Sequence, residues 1–357
     1  MVLKNTQVEK ILQNPSKAAE AADLIYITED ELTIKRHRHG KGFFYTEKEK
    51  KIQNKKDIER FKSLIIPPAW NDVCITPITN GHLQVIGKDE KQRKQYKYHP
   101  HWNKIRNETK FFKMAAFGNV LPEIRKQVSK DLNLPKMSKR KCLALVISLM
   151  EETHIRIGNE NYAKNNKSYG LSTFRDKHLE LKKNKLVFNF VGKKGKKHTV
   201  SLKNRKLQKL VIQCKEIPGW ELFQYYDEEG NHHSIDSGMV NGYIHEISGD
   251  LFSAKDFRTW AASNIFLETL FHFEKPVSET EIKSNILDAH DAAAKRLGNT
   301  RTVCKKYYVH PAITAKYENG QLEKYYCEAN KKKNENEWLS NSEVALLQII
   351  SGYKIDI

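Results

Sequence analysis

The sequence predicts an α+β protein: a small β-rich N-terminal domain, then a larger, mostly α-helical domain carrying a β-hairpin or small sheet. Three observations predict it. Residues up to about Lys104 fall into short β-prone pieces separated by Gly, Pro and Asn. Beyond them apolar residues recur at helical spacing over long stretches, and one stretch inside that region alternates instead. The expected division is 1–104, 105–330, and a polar linker with a C-terminal tail over 331–357.

In the first domain Gly42 to Tyr45, Val73 to Ile75 and His82 to Ile86 read as strands. Between them Lys55 to Ile66 has helical spacing and stops at Pro67 and Pro68. The segment His99 to Asn103 reads as the exit from this domain. Leu143, Val146, Ile147 and Met150 then set a helix from about Ser138 to Thr153. Leu186, Phe188 and Phe190 alternate up to a Gly192-Lys193-Lys194-Gly195 turn, and His198 to Leu202 returns, which makes a hairpin with a lysine-rich tip. Ser253 to Asp256 reads as a capping box opening a helix to about Phe273. Ser278 to Glu281 repeats the signal for a helix ending at Gly298. After the polar KKKNENE run, Val344 to Ile350 predicts a terminal helix.

Of 357 residues 39% are hydrophobic and 29% charged, a composition that supports a core. The longest uncharged apolar run, Leu143 to Met150, falls far short of the roughly 20 residues a membrane span needs. The N-terminal MVLKNTQVEK lacks the basic-then-apolar layout of a secretory signal. Five scattered cysteines without a CxxC pair argue for reduced thiols and against a disulfide frame or zinc site. A cytoplasmic chain is expected. An excess of 62 Lys+Arg over 43 Asp+Glu, a formal charge of +19, suits a polyanionic partner, because neutralising phosphates releases condensed counterions. A membrane surface is the weaker alternative, since no basic amphipathic helix or lipid anchor is evident. The paired histidines His37/His39, His99/His101 and His232/His233 lack the cysteine or carboxylate company of a metal centre, so no metal site is expected.

Cutting a phosphodiester without a metal requires fixed cations for the non-bridging oxygens, a nucleophile, and an acid for the leaving oxygen. Arg156 lies between two isoleucines just past an apolar helix; it reads either as a snorkelling side chain or as such a cation. Arg258 lies in a helix's first turn, where an ion pair with Asp256 or Glu268 is the plain alternative. Lys193 and Lys194 cap the hairpin, where lysines are usually only solvated. Tyr307 and Tyr308 follow the Gly298-Asn299-Thr300 helix end, where tyrosines most often pack.

Taken in order, Arg156, Lys193, Arg258, Asn299 and Tyr308 resemble the catalytic set of the type IB DNA topoisomerases, in particular their small bacterial and poxvirus-like branch. The strings IRIGNENY, FVGKKGKKH, AKDFRTWAA and LGNTRTVCKKYYVHP carry the resemblance, and in the first domain so do RHRHGKGFFY, IPPAW and GHLQVIGKDEKQRKQYKYHPHW. It covers about residues 22–325. The resemblance implies two domains clamping duplex DNA as a C-shape. Tyr308 would attack the scissile phosphate to give a 3′-phosphotyrosyl bond and a free 5′-hydroxyl. Arg156 and Arg258 would hold the non-bridging oxygens. Lys193 would protonate the leaving oxygen with help from Arg156. The resemblance implies double-stranded DNA of the nucleoid as partner, a monomeric enzyme, and no requirement for metal, ATP or another cofactor. Gln95, Tyr96 and Tyr98 match positions that lie against the major groove and backbone, and Tyr162 matches a further DNA contact.

Three departures stand out. Asn299 occupies a position where some relatives use histidine, so it donates a hydrogen bond without adding charge. Tyr307 and Tyr308 both offer a phenol, and the family spacing of nine residues from Asn299 selects Tyr308. Lys88 and Gln92 stand where relatives often have Arg and Gly. Two rivals remain: a tyrosine recombinase, which shares the chemistry but needs a tetramer, and a DNA-binding protein without catalysis.

Overall fold

The computed structural model describes residues 11–12, 14–182, 185–331 and 337–353. The N-terminal MVLKNTQVEK and most of the polar linker after Lys331 lie outside the described residues. The chain divides into two compact units, one up to Phe112 and one from Lys113 to Tyr353.

In the first unit, helix α1 (Pro15–Glu20) starts at Asn14, whose side chain accepts from the Ser16 N–H, with Pro supplying the pre-set φ of a first turn. Six antiparallel strands follow: β1 (Ile34–His39), β2 (Gly42–Glu47), β3 (Lys50–Lys51), β4 (Asn71–Ile75), β5 (Leu83–Lys88) and β6 (Lys94–Tyr98). They form one sheet in the order β3-β2-β1-β4-β5-β6. Helix α2 (Lys55–Ser63) buries Phe61 against Ile34, Tyr45, Val73, Ile75 and Val85. It stops short of the expected Ile66 because Ile65 takes a positive φ of 46°.

Strand β6 forms an edge of the sheet, joined to β5 by a turn in which Asp89 Oδ1 accepts the N–H groups of Lys91 and Arg93, each at 3.0 Å. Gln92 in this turn has φ +56°, the left-handed region in which glycine is at home. That is the physical sense of the expected family glycine here.

Helix α3 (Pro100–Leu132) runs through the boundary between the units. The expected exit segment is therefore largely the first turn of a 33-residue helix, with Pro100 at its start. In the second unit Phe117 from α3 packs edge-on against Phe252, Phe257 and Trp260, with centroids 5.5, 5.0 and 6.0 Å away. Helix α4 (Lys139–Thr153) starts about where expected, capped by the Ser138 side chain, is buried along nearly its whole length and ends where His154 turns to φ +55°.

After α5 (Glu160–Asn166), strands β7 (Leu179–Lys182), β8 (Lys185–Val191) and β9 (Lys197–Leu202) make a three-stranded sheet. The expected hairpin is its β8–β9 half. Helix α6 (Arg205–Lys215), the ribbon β10 (Gln224–Tyr226) with β11 (His232–Ser234), and α7 (Ser237–Ser248) lead to α8 (Ala254–Phe271). The Ser253–Asp256 capping box opens α8, and Gly298 at φ +64° closes α9 (Glu279–Leu297). Three short helices follow, α10 (Arg301–Tyr307), α11 (Pro311–Glu318) and α12 (Leu322–Lys331), and then the terminal α13 (Asn341–Ile350).

The α13 segment is part of the second unit's core. Its Glu343, 6% exposed, accepts from Arg125 Nη1 and Nη2 at 2.8 Å each and from Trp260 Nε1 at 2.8 Å. Among the described residues no helix is long and apolar enough to cross a membrane. The α+β class and its division into antiparallel sheets and helices are as the sequence predicts.

Candidate active site

Arg156 projects from the loop that follows α4. The loop is pinned by backbone bonds from Leu171 N to the Arg156 carbonyl (2.9 Å) and from Ser172 N to the Ile157 carbonyl (2.6 Å). These need Gly170 beside Gly158, because a Cβ on Gly170 would lie 2.4 Å from the Arg156 carbonyl oxygen. So held, Arg156 donates through Nη2 to Asn299 Oδ1 at 2.6 Å. That bond fixes the asparagine's orientation, with its buried amide nitrogen as the remaining donor.

Arg258, in the second turn of α8, is only 5% exposed. Neither carboxylate that the sequence offers it is its partner. Asp256 pairs with Lys113 at 3.0 Å, and Glu268 accepts from Asn264 and Ser342. Arg258 instead donates to two backbone carbonyls, through Nη1 to His154 and through Nη2 to Leu297 at 2.9 Å. Both carbonyls belong to helix ends, where the backbone leaves acceptors unfilled and the dipole favours a cation. Burial, with Arg156 adding to it, pushes the Arg258 guanidinium down to about 10, so it remains charged at neutral pH.

Tyr308 sits at the end of α10 with its ring centroid 5.8 Å from the Arg258 guanidinium carbon. Its carbonyl accepts from the Ser263 hydroxyl at 3.1 Å, and that hydroxyl accepts the His310 N–H at 3.0 Å. Burial raises the phenol's pKa, but the charges of Arg258 and Arg156 outweigh it and hold it below the ordinary tyrosine value. The neighbouring Tyr307 is 42% exposed, under the Lys306 ammonium at 5.3 Å. Of the two phenols, Tyr308 is the one beside the Arg258 guanidinium.

Two buried donors here, Arg258 Nε and Asn299 Nδ2, make no hydrogen bond of ordinary geometry among the described residues, although Arg258 lies against Tyr308 and Asn299 against Cys304. An orphaned buried donor is costly unless a ligand completes it. Beside them opens a pocket lined by Arg156, Lys193, Arg258, Lys295 and Arg296, with no acidic residue in its wall. Lys193 reaches it from the exposed β8–β9 tip, where Lys194 and Gly195 take φ +65° and +75° to turn the chain. A walled site holding cations and unfilled donors selects an anion with several oxygens, and a phosphate has that form.

The remaining expected residues lie elsewhere. Tyr96 and Tyr98 share one face of β6 with centroids 6.0 Å apart, and Tyr96 donates to Glu29 at 3.1 Å. Gln95 points to the other face and donates to Asp89 at 2.9 Å. Tyr162 is 56% exposed on α5.

The family described as "Eukaryotic DNA topoisomerase I, catalytic core" matches residues 93–336, and "Bacterial DNA topoisomerase IB, N-terminal domain" matches residues 42–89. The DNA topoisomerase 1B of Acanthamoeba polyphaga mimivirus is 33% identical over 295 residues, covering 80% of this chain and 88% of that protein. The chain belongs to the type IB DNA topoisomerase family. Its poxvirus-like character shows in weaker relatives as well. The DNA topoisomerase I of monkeypox virus is 26% identical and the DNA topoisomerase 1B of vaccinia virus (strain Copenhagen) 25%, each covering 70% of this chain and 78% of the relative. As a member of this family the chain is an isomerase.

Sequence reasoning about this topoisomerase missed two residues at the site. Ser263, fully buried on α8, ties the Tyr308 carbonyl to its own helix. Its position on the inward face of a predicted helix was readable, but its partner was not. His198 lines the cationic pocket opposite Phe190. The expected hairpin, with Phe190 before its turn and His198 after it, carried the signal that could have placed it there.

Proposed function

We propose that this topoisomerase relaxes supercoiled duplex DNA by cutting one strand through Tyr308 and resealing it, without metal or ATP. The observation that carries the reading is Tyr308 beside the buried Arg258, with Arg258 Nε and Asn299 Nδ2 unfilled at the same place. The Tyr308 phenol gives its proton to solvent water, the phenolate oxygen attacks the phosphorus, and the bond from phosphorus to the 5′ oxygen breaks. Lys193 gives that oxygen a proton, with Arg156 assisting, and a 3′-phosphotyrosyl ester is left. Arg156, Arg258 and Asn299 balance the charge that builds on the non-bridging oxygens, the role in which a pre-positioned donor contributes most.

The ester conserves the energy of the broken linkage, so religation is the same reaction reversed. Swivelling of the nicked duplex between the two steps removes supercoils of either sign. Gln95, Tyr96, Tyr98 and Tyr162 supply DNA contacts, and the basic surface implied by the +19 charge adds salt-dependent affinity. The enzyme works as a monomer in the nucleoid.

Supercoiled plasmid incubated with the protein in EDTA tests this. Relaxation at low protein concentration, with a denaturation-resistant protein–DNA link, supports it. Abolition by the chelator overturns it. Activity confined to paired sites and to a tetramer would favour a recombinase instead.

A further inference from the structure

His198 lines the cationic pocket, yet the chemistry above does not use it. It lies in β9 directly across from Phe190 in β8, and the imidazole stacks on the phenyl ring with centroids 5.0 Å apart and planes 15° apart. Two glycines lie against the rest of the ring. A Cβ built on Gly192 would lie 2.8 Å from His198 Cδ2, and one on Gly298 would lie 2.3 Å from Cε1. Neither position accepts a side chain while His198 is in place.

Gly192 immediately precedes Lys193, and Gly298 immediately precedes Asn299. The ring is therefore wedged between the residue before the lysine and the residue before the asparagine. Lys196 adds a second tie by donating to the Asn299 carbonyl at 3.5 Å. Burial, then the charges of Arg156, Lys196 and Arg258, push the imidazole below its ordinary range, so the wedge is neutral at pH 7. Among the described residues neither ring nitrogen makes a hydrogen bond.

We propose that His198 is a positioning residue whose ring keys the lysine hairpin against the Gly298–Asn299 corner, placing Lys193 to protonate the leaving 5′ oxygen. The inference rests on the topoisomerase reading above, with Lys193 as the acid. It assigns the work to the shape of the ring rather than to its nitrogens. An untethered tip leaves Lys193 at the end of an exposed turn containing Gly195, free to sample many placements in which no proton can pass.

The test is single-turnover cleavage of two DNA duplexes, one with an ordinary linkage and one with sulfur in place of the bridging 5′ oxygen. A thiolate departs without an acid, so that substrate bypasses Lys193. On the ordinary duplex His198→Ala should cleave roughly 100-fold more slowly, the size expected for a misplaced catalytic group. His198→Phe, which keeps a flat ring on Phe190, should restore most of the rate. On the sulfur duplex all three proteins should cleave at similar rates, with unchanged DNA affinity.

Wild-type speed for the Ala variant on the ordinary duplex overturns the proposal. An equal defect on both duplexes does so too, as does a Phe variant as slow as Ala. Should the Ala variant not fold, the Phe variant decides alone by the same two substrates. Failure of the wild type to form any covalent adduct would instead remove the topoisomerase reading itself.

Discussion

Ser263 ties the Tyr308 backbone to the helix that carries Arg258: its hydroxyl donates to the Tyr308 carbonyl at 3.1 Å, five residues along α8 from Arg258. The same oxygen accepts the His310 N–H at 3.0 Å, so one buried side chain satisfies a group on either side of Val309. Ser263→Ala removes both of these hydrogen bonds, at about 1–3 kcal/mol of stability. The Tyr308 ring then loses its fixed distance from the guanidinium. Single-turnover cleavage should fall by about tenfold or more, near 1.4 kcal/mol of barrier, with DNA affinity unchanged. A loss of affinity with normal cleavage would show that the serine serves the DNA surface instead.

Arg258→Lys should fail to replace arginine. The guanidinium spends Nη1 and Nη2 on the carbonyls of His154 and Leu297 and still presents Nε, whereas an ammonium on a longer flexible stem cannot fill that fork. The expected loss in cleavage is roughly 10²–10³-fold, as for other pre-positioned oxyanion donors. Rates within tenfold of wild type would mean that charge alone is enough at this position.

The pH dependence of cleavage carries the charge of the arginines in its sign. Burial raises the Tyr308 pKa, and Arg258 and Arg156 lower it by more, so the folded value lies below 10. With phenolate as the attacking form in the proposed reaction, the rate should rise with pH through an inflection below that of free tyrosine. Arg156→Ala removes one lowering charge and leaves the burial, so its inflection should move upward. A stopped-time cleavage profile against pH for the two proteins checks it; an unmoved or lowered inflection contradicts the assignment.

Much of this architecture is legible in the sequence because its signals are local. Ser138, Ser253 and Ser278 announce helix starts, and Gly298 a helix end, through bonds spanning three or four residues. Strand β6 is less legible: Lys-Gln-Tyr-Lys-Tyr alternates charge with aromatics, and only its neighbour β5 makes it a strand. The start of α3 was hidden in the same way, since His99 to Asn103 holds histidines and a proline that also suit a loop. At the site, family resemblance pointed to Arg156, Lys193, Arg258, Asn299 and Tyr308, and the fold sets Arg156 against Asn299 and Arg258 against Tyr308. The partners of Arg258 were not, because they are backbone carbonyls 104 and 39 residues away that only tertiary packing brings together.

The terminal helix α13 gives a stability prediction. Glu343 receives both Nη atoms of Arg125 and the Trp260 indole, and Arg125 also pairs with Glu151 at 2.9 Å. Glu343→Ala leaves the largely buried guanidinium with Glu151 as its remaining carboxylate and takes the acceptor from the Trp260 indole, at about 3 kcal/mol. Thermal unfolding of the catalytic unit should shift down by roughly 10 °C. Trp260 lies two residues beyond Arg258 on α8, so cleavage should weaken as the melting temperature is approached. An unshifted transition would show that α13 is dispensable to the core.

The most direct measurement is to trap the protein on nicked or supercoiled DNA in EDTA, digest it, and locate the nucleotide by mass spectrometry. The account predicts a single adduct on Tyr308, lost in Tyr308→Phe and retained in Tyr307→Phe. An adduct on Tyr307 or any other residue, or none without added metal, would contradict it.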